Sequence, residues 1–194
     1  MEIEMTTWYL EQTSPQKLRS APLPSDPVMI KRAEIPSPEF SRFLYTAVGG
    51  YWYWTKKLGW SWQQWTEWLA RPGVETWVAW LRGTPAGYVE LEAQPAGQVE
   101  VTCFGLLSAF IGRGIGKFLL TNGLARAWDL AERWAEQERT ERVWLHTCSL
   151  DSSQALANYQ ARGLRIYDTR VKTKEVTSEP SGPWPGANKP SFSN

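Results

Sequence analysis

The chain of 194 residues is long enough for one domain with a sizeable core, at about 150 residues per domain. Its 21 lysines and arginines balance 20 aspartates and glutamates, and the net charge of +1 argues against a polybasic nucleic-acid-binding protein. Two cysteines and one histidine argue against a disulfide framework and a cysteine- or histidine-rich metal site, so we predict no metal. No signal peptide and no apolar run of about 18 residues is visible, which predicts a cytoplasmic protein without a membrane segment.

The first half of the chain predicts two helices and then a group of strands. Residues 14–38 are rich in proline and contain one strand-like run, Val28–Ala33. Apolar residues at helical spacing predict a helix over Glu39–Val48, and Ser61 opens a capping box before a second helix, Trp62–Ala70. Three further runs separated by turn signals indicate an antiparallel meander: Val74–Leu81, Gly87–Ala93 and Val99–Leu107.

The second half alternates helices and strands. A broad apolar stripe predicts a long helix from Gly114 to Glu136. A strand over Arg142–Ser149, a helix over Ser152–Arg162 and a strand over Leu164–Lys172 follow. This order predicts an α/β fold with a mixed, mostly antiparallel central sheet flanked by helices. The proline- and glycine-rich residues 173–194 are expected to form a flexible tail.

A glycine-rich turn lies where the third meander strand ends and the long helix begins. Gly112, Gly114 and Gly116 allow a ligand to approach the backbone closely, and the N–H groups of a helix N-terminus attract anions. Arg113 and Lys117 add positive charge at the same place. The turn therefore predicts a pyrophosphate site.

Two common nucleotide motifs do not fit this turn. A Rossmann fingerprint needs a third glycine where Lys117 stands, and a Walker A loop needs Ser or Thr where Phe118 stands. The run from Ile111 to Gly116 instead resembles the Arg/Gln-x-x-Gly-x-Gly/Ala loop of the GNAT superfamily of N-acetyltransferases, with Ile111 in the leading position.

A second resemblance to the same superfamily lies downstream. Its members often show Asn-x-x-Ala, then a tyrosine, then Gly-Phe at the end of the helix. Here Ser152 stands for the asparagine, Ala155, Tyr159 and Gly163 match, and Leu164 replaces the phenylalanine. The two motifs span residues 99–166, and the tryptophan-rich front of the chain is similar to a particular bacterial subfamily.

The resemblance implies a GNAT-type fold over residues 1–172 and transfer of an acetyl group from acetyl-CoA to a primary amine by direct attack. The pyrophosphate is expected on the glycine-rich loop, and the pantetheine arm beside Phe104 and Leu106 as an added strand. The acceptor side is expected in residues 28–82. The residues expected to hold the co-substrate are Phe104, Leu106, Ile111, Gly112, Arg113, Gly114, Ile115, Gly116, Lys117 and Ser152.

The resemblance also implies catalytic roles. Tyr159 is the candidate general acid for the departing thiolate. Glu100 is the candidate general base, because some family members place a glutamate at this spacing; alternation puts it on the face of Thr102 and Phe104. Glu90, Glu92 or a water chain are alternatives. His146 as the base is a less favoured alternative. A covalent route through Cys103 or Cys148 is also less favoured, because a nucleophilic cysteine needs an adjacent base.

Tryptophan is the compositional outlier, with 13 residues, eight of them between Trp52 and Trp80. The cluster has three interpretations: core, acceptor pocket, or an interface with a partner. Because Tyr51–Trp54 alternates in direction, some of its rings are expected at a surface. Trp52, Trp54 and Glu90 are the predicted acceptor-binding residues.

The acceptor itself stays open between a small-molecule amine and a protein amine, with no nucleic acid or membrane as partner. Dimers are frequent in such families, so a homodimer is among the expected assemblies. Two other functions remain open at this point. One is a non-catalytic domain that binds or senses acyl-CoA, and the other is a tryptophan-rich protein-interaction module.

Overall fold

The computed structural model describes residues 1–187, and these form one seven-stranded sheet with helices on both faces. The strands are β1 (Glu2–Gln12), β2 (Met29–Arg32), β3 (Val74–Leu81), β4 (Thr84–Gln94), β5 (Gln98–Leu106), β6 (Arg142–Cys148) and β7 (Arg165–Glu175). The α-helices are α1 (Pro38–Gly49), α2 (Trp62–Leu69), α3 (Ile115–Trp128) and α4 (Ala155–Ala161). The sheet order is β2-β3-β4-β5-β6-β1-β7, and only the β5–β6 pair is parallel. This confirms the predicted α/β fold with a mixed, mostly antiparallel sheet.

The helices pack on both faces of the sheet and form two separate hydrophobic cores. Leu119, Leu120 and Leu124 of α3 pack with Tyr159 of α4 on one face of the sheet, called here the α3–α4 face. Leu44 of α1 and Trp65 of α2 belong to a separate core on the opposite, α1–α2 face. In residues 1–187, no helix has the length and apolar character that crossing a bilayer requires.

Local sequence explains where the front helices begin. The Ser61 side chain accepts a hydrogen bond from the backbone N–H of Gln64, and the Gln64 side chain accepts one from the Ser61 N–H. This is the predicted capping box at the start of α2. Ser37 caps α1 in a similar way by accepting from Phe40 N–H, with Pro38 in the first helical turn.

The third helix is shorter than predicted, ending at Trp128 instead of Glu136. Its chain turns after Asp129 because Arg133 reaches back to the last turn. The guanidinium donates to the Arg126 carbonyl oxygen at 2.6 Å and also binds the Asp129 carboxylate. Arg133 and Trp134 both donate to Glu75 of β3, which keeps the apolar stripe in contact with the sheet without a helix.

The first and last strands pair with each other at one edge of the sheet. No strand is predicted for residues 2–12, yet they form β1 between β6 and β7. The last strand, β7, reaches Glu175, three residues into the segment predicted as a tail, and the N-terminal amine donates to the Val176 carbonyl at 2.7 Å. The final seven residues of the predicted tail, 188–194, lie outside the described residues.

The central strands have two irregular features. The β5–β6 pairing ends at Glu100 opposite Trp144, so the two strands separate beyond that point. A bulge in β5 shifts the register, because Leu91 pairs with Val101 while Glu90 pairs with Cys103. Thr102 is therefore the extra residue of the bulge.

The bulge changes the face of the sheet to which Phe104 points, compared with the prediction from sequence. Cys103 joins the core on the α1–α2 face, and Phe104 packs with the core on the α3–α4 face. Glu100 and Phe104 thus point to opposite faces, so the prediction that they share one face is wrong. Simple alternation counts two residues per repeat, and the inserted residue changes that count.

We expect Gly163→Ala to destabilise the fold by about 1–3 kcal/mol. Gly163 lies just after α4 and has a φ of +93°, and a Cβ there would overlap the Lys17 carbonyl oxygen. Urea unfolding of this variant and of Gly59→Ala measures the cost, since Gly59 has an ordinary φ and open space around it. Equal unfolding midpoints for the two variants would show that the close approach at Gly163 carries no cost.

Candidate active site

A cavity of about 780 Å³ occupies the gap between the separated strands. It is called here the β5–β6 cavity, and its size is typical of a small-molecule site. Its walls come from β5, β6, the glycine-rich loop of residues 111–117, α4 and the segment after α1. The cavity brings together eleven of the predicted site residues: Trp52, Trp54, Phe104, Leu106, Ile111, Gly112, Gly114, Gly116, Lys117, Ser152 and Tyr159.

Four predicted site residues do not line the cavity. Ile115 is fully buried in the core, and Arg113 is held at 2.7 Å by Asp26. Glu90 is 2% exposed and is paired with Lys57, and Glu100 is not among the residues that line the cavity. Of the two positively charged residues in the glycine-rich loop, Lys117 is therefore the one that lines the cavity.

The glycine-rich loop exposes the start of α3. Gly112 and Gly114 have φ values of +84° and +76°, which a residue with a side chain rarely adopts. Gly114 is the N-cap and has no side chain, so the first N–H groups of the helix receive no side-chain acceptor. With Lys117 beside them, these groups form a site suited to an anion.

Tyr159 is the buried acid–base candidate on the α3–α4 side of the gap. Tyr159 is 7% exposed, and its ring contacts that of Phe104 edge-on, with 5.9 Å between the ring centroids. Burial, with added repulsion from Asp151 and Cys103, raises the pKa of Tyr159 well above its ordinary value. The phenol therefore keeps its proton at neutral pH and can donate it.

His146 and Glu100 lie on the other side of the gap. Because Leu145 packs into the α3–α4 core, its neighbour His146 points to the α1–α2 face and lines the cavity from there. The His146 Nε2 atom is 4.0 Å from Glu100 Oε1. The His146 side chain is 53% exposed, and its partial burial lowers its pKa. Burial raises the pKa of Glu100, which accepts a hydrogen bond from Gln94 at 2.8 Å.

The two cysteines are poor nucleophiles in this setting. Burial and the neighbouring Glu90 raise the pKa of Cys103 to about 12, and burial also raises the pKa of Cys148. Thiols are much less nucleophilic than thiolates. Both cysteines are therefore poor candidates for a covalent intermediate.

The tryptophan cluster divides into separate environments. Trp52 and Trp54 line the cavity, whereas Trp62 is 64% exposed on α2. Three other rings surround the ammonium of Lys57. Its Nζ atom lies 4.3 Å from the ring centroid of Trp68, 5.1 Å from that of Trp60 and 5.6 Å from that of Trp65.

Lys57 and Glu90 form a buried ion pair inside this ring of tryptophans. Their Nζ and Oε1 atoms are 2.6 Å apart, and Glu90 also accepts from Thr102 of the bulge at 2.9 Å. Burial alone would lower the pKa of Lys57, but the adjacent Glu90 raises it. Sequence reasoning missed Lys57, although a lysine amid tryptophans is a signal for cation–π contacts.

Residues 35–164, more than half of the chain, match the family model described as Acetyltransferase (GNAT) family. A comparison with the curated proteins finds no match.

Solved structures share the fold at low sequence identity. A GCN5-related N-acetyltransferase from Sphaerobacter thermophilus has a TM-score of 0.61 and 16% identity, covering 86% of this chain and 50% of that one. A GCN5-related N-acetyltransferase from Kribbella flavida has a TM-score of 0.60 and 17% identity, covering 87% and 59%. An aminoglycoside acetyltransferase from an uncultured soil metagenomic sample, in complex with sisomicin, has a TM-score of 0.50 and 16% identity, covering 70% and 85%.

The chain therefore spans half to about six tenths of the length of the first two of these structures. The family model rests on the same segment that supplies the glycine-rich loop, both separated strands and Tyr159. Together with the shared architecture, that match shows that the chain belongs to the GNAT family of acetyltransferases.

Proposed function

We propose that the chain transfers an acetyl group from acetyl-CoA to a primary amine by direct attack. One observation carries the proposal: the β5–β6 cavity joins an anion site at the start of α3 to a buried, protonated Tyr159. An acyl-CoA needs both ends of that space, because its pyrophosphate is anionic and its thiolate leaving group takes up a proton.

The shape of β5 supports the placement of the donor. Beyond Glu100 the strand has no pairing with β6, so its edge is free toward the cavity. An extended pantetheine arm has amide groups that pair with such an edge, near Phe104 and Leu106. Its pyrophosphate then lies at the glycine-rich loop, where Lys117 and the helix N-terminus offset the negative charge.

Tyr159 is positioned to act as the general acid. It shares the cavity wall with Phe104, where the thioester is expected, and its raised pKa keeps the phenol protonated. When the amine nitrogen has bonded to the carbonyl carbon, the carbon–sulfur bond breaks and the departing sulfur receives the Tyr159 proton.

The acceptor side lies at the segment after α1. Trp52 and Trp54 present flat ring surfaces to the cavity, which suit the apolar part of an amine or the ammonium itself. The soil-derived structure carries the name of an enzyme that acetylates aminoglycosides. For this chain we propose a primary amine, of a small molecule or of a protein, and a cytoplasmic setting, which the free state of both cysteines supports.

Lys117→Met is expected to weaken acetyl-CoA binding by about tenfold, because it removes a charge-assisted contact with phosphate. Isothermal titration of acetyl-CoA measures the change, and the loss should shrink as salt is raised. Arg113→Met is the matched control, since that guanidinium is held by Asp26 outside the cavity. The assignment fails if wild type does not bind acetyl-CoA, or if both variants bind like wild type.

A further inference from the structure

We propose that His146 takes the proton from the incoming amine and that Glu100, behind it, stabilises the imidazolium that forms. The inference rests on the proposed acetyl transfer and assigns its proton acceptor. It differs from the sequence-based prediction, in which Glu100 itself contacts the amine. The reason is position: His146 lines the β5–β6 cavity, and Glu100 does not.

The two sides of the gap have opposite chemical tasks. Tyr159 belongs to the α3–α4 core, the side of the glycine-rich loop and the donor. His146 enters from the α1–α2 face, the side of Trp52 and Trp54. An amine arriving along the tryptophans therefore meets an imidazole before the thioester, while the departing sulfur meets a phenol.

Glu100 is suited to the supporting role by its surroundings. Its side chain is 15% exposed, and its neighbour across the strands, Glu92, is paired with Arg71 at 2.7 Å. Glu100 has no lysine or arginine within ion-pair distance among residues 1–187; its close contacts are Gln94 at 2.8 Å and His146 at 4.0 Å. A distance of 4.0 Å is too long for a direct hydrogen bond, so the carboxylate acts through its charge.

Two charged groups and one aromatic ring on further elements surround the imidazole. Asp151 in the turn after β6 raises the pKa of His146, and Lys56 in the segment after α1 lowers it. Tyr9 of β1 holds the ring in place, with centroids 5.8 Å apart. Although the His146 side chain is 53% exposed, its partial burial is the largest effect and lowers its pKa, so the neutral imidazole predominates at pH 7 and can accept a proton.

His146 and Tyr159 together account for every proton that the reaction moves. A protonated amine gives one proton to His146, which later passes it to solvent. The neutral nitrogen bonds to the carbonyl carbon of the acetyl group, and the carbon–sulfur bond breaks. Tyr159 gives its proton to sulfur and regains one from the second N–H of the attacking nitrogen. The products are the N-acetylated amine, free CoA thiol and one released proton.

The first test needs no substrate, because the chain contains a single histidine. An NMR titration of the imidazole in the full, untagged chain gives the His146 pKa directly. We expect Glu100→Gln to lower it by about 1, since an opposite charge at this distance favours imidazolium. Glu92→Gln is the matched control and should change it less, because Glu92 is neutralised by Arg71. An unchanged His146 pKa in Glu100→Gln overturns the proposed support.

The second test measures turnover with named probes: n-butylamine, 2-phenylethylamine and a lysine-containing tripeptide. With acetyl-CoA, His146→Gln is expected to lower kcat/KM by about 10²-fold at pH 7. The defect should shrink above about pH 10, where the free amines are already neutral. Glu92→Gln should stay near wild type. If wild type acetylates a probe and His146→Gln keeps its rate and pH profile, the role of His146 is refuted. If wild type acetylates no probe, the proposed function fails, and the NMR titration still judges the pairing.

Discussion

Replacing Tyr159 with phenylalanine is expected to lower kcat by about 10²- to 10⁴-fold, the usual contribution of a positioned general acid. The substitution removes only the hydroxyl, and the ring keeps its edge-on contact with Phe104. Acetyl-CoA binding should therefore stay within about threefold of wild type, so that the loss falls on kcat. Steady-state kinetics together with isothermal titration of acetyl-CoA separate the two effects.

The control for this prediction is Tyr167→Phe, a tyrosine on β7 outside the cavity that is 42% exposed. A second signature is the pH dependence. Because the pKa of Tyr159 is raised, its protonated form persists as pH increases, and Tyr159 should cause no loss of kcat below about pH 10. Undiminished turnover in Tyr159→Phe would remove this residue from the acid role.

Lys57→Met is expected to cost about 3–5 kcal/mol of unfolding free energy, because it leaves the buried carboxylate of Glu90 without its cation. Glu90 is 2% exposed and lies 2.6 Å from the lysine nitrogen. Urea unfolding followed by tryptophan fluorescence measures the loss. Combining Lys57→Met with Glu90→Gln should recover part of the stability, since the second change removes the unpaired charge.

The matched control is Arg113→Met, which breaks an ion pair whose arginine is 42% exposed and should cost about 1 kcal/mol or less. The contribution of Lys57 to the free energy of unfolding also depends on pH. The folded-state pKa of Lys57 is raised, so the stabilisation is fully present below the unfolded value near 10.5 and is lost as pH rises through the folded value. A Lys57→Met variant as stable as Arg113→Met would contradict the account of this ion pair.

The features that sequence predicted well are those set by local chemistry. The capping box at Ser61 forms because its two partners are three residues apart. The glycine-rich loop adopts its positive φ values because Gly112 and Gly114 have no Cβ to oppose them. The place of Tyr159 in the cavity follows from a helix that begins and ends within one short motif.

The features that sequence missed depend on contacts between distant segments. β1 forms because its backbone pairs with β6 and β7, more than a hundred residues away. The bulge at Thr102 changes which residues of β5 point to the α3–α4 face, and strict alternation does not account for an inserted residue. The early end of α3 depends on Arg133, which binds Glu75 of a neighbouring strand.

The tryptophan excess also has a clearer explanation in three dimensions. Trp60, Trp65 and Trp68 enclose Lys57, a structural role that joins the segment after α1 to β4 through Glu90. Trp52 and Trp54, from the same segment, line the cavity. The buried pair thus holds in place the segment that presents the two candidate acceptor-binding rings.

We propose that this cavity carries out acetyl transfer to an amine. The most direct measurement combines amine-dependent release of CoA thiol from acetyl-CoA with mass spectrometry of the amine, using n-butylamine, 2-phenylethylamine and a lysine-containing tripeptide. We predict thiol release that depends on the amine and yields its N-acetylated form, with the Tyr159→Phe variant strongly impaired. Tight binding of acetyl-CoA without acetylation of any of these amines would contradict the claim and identify the chain as an acyl-CoA-binding domain.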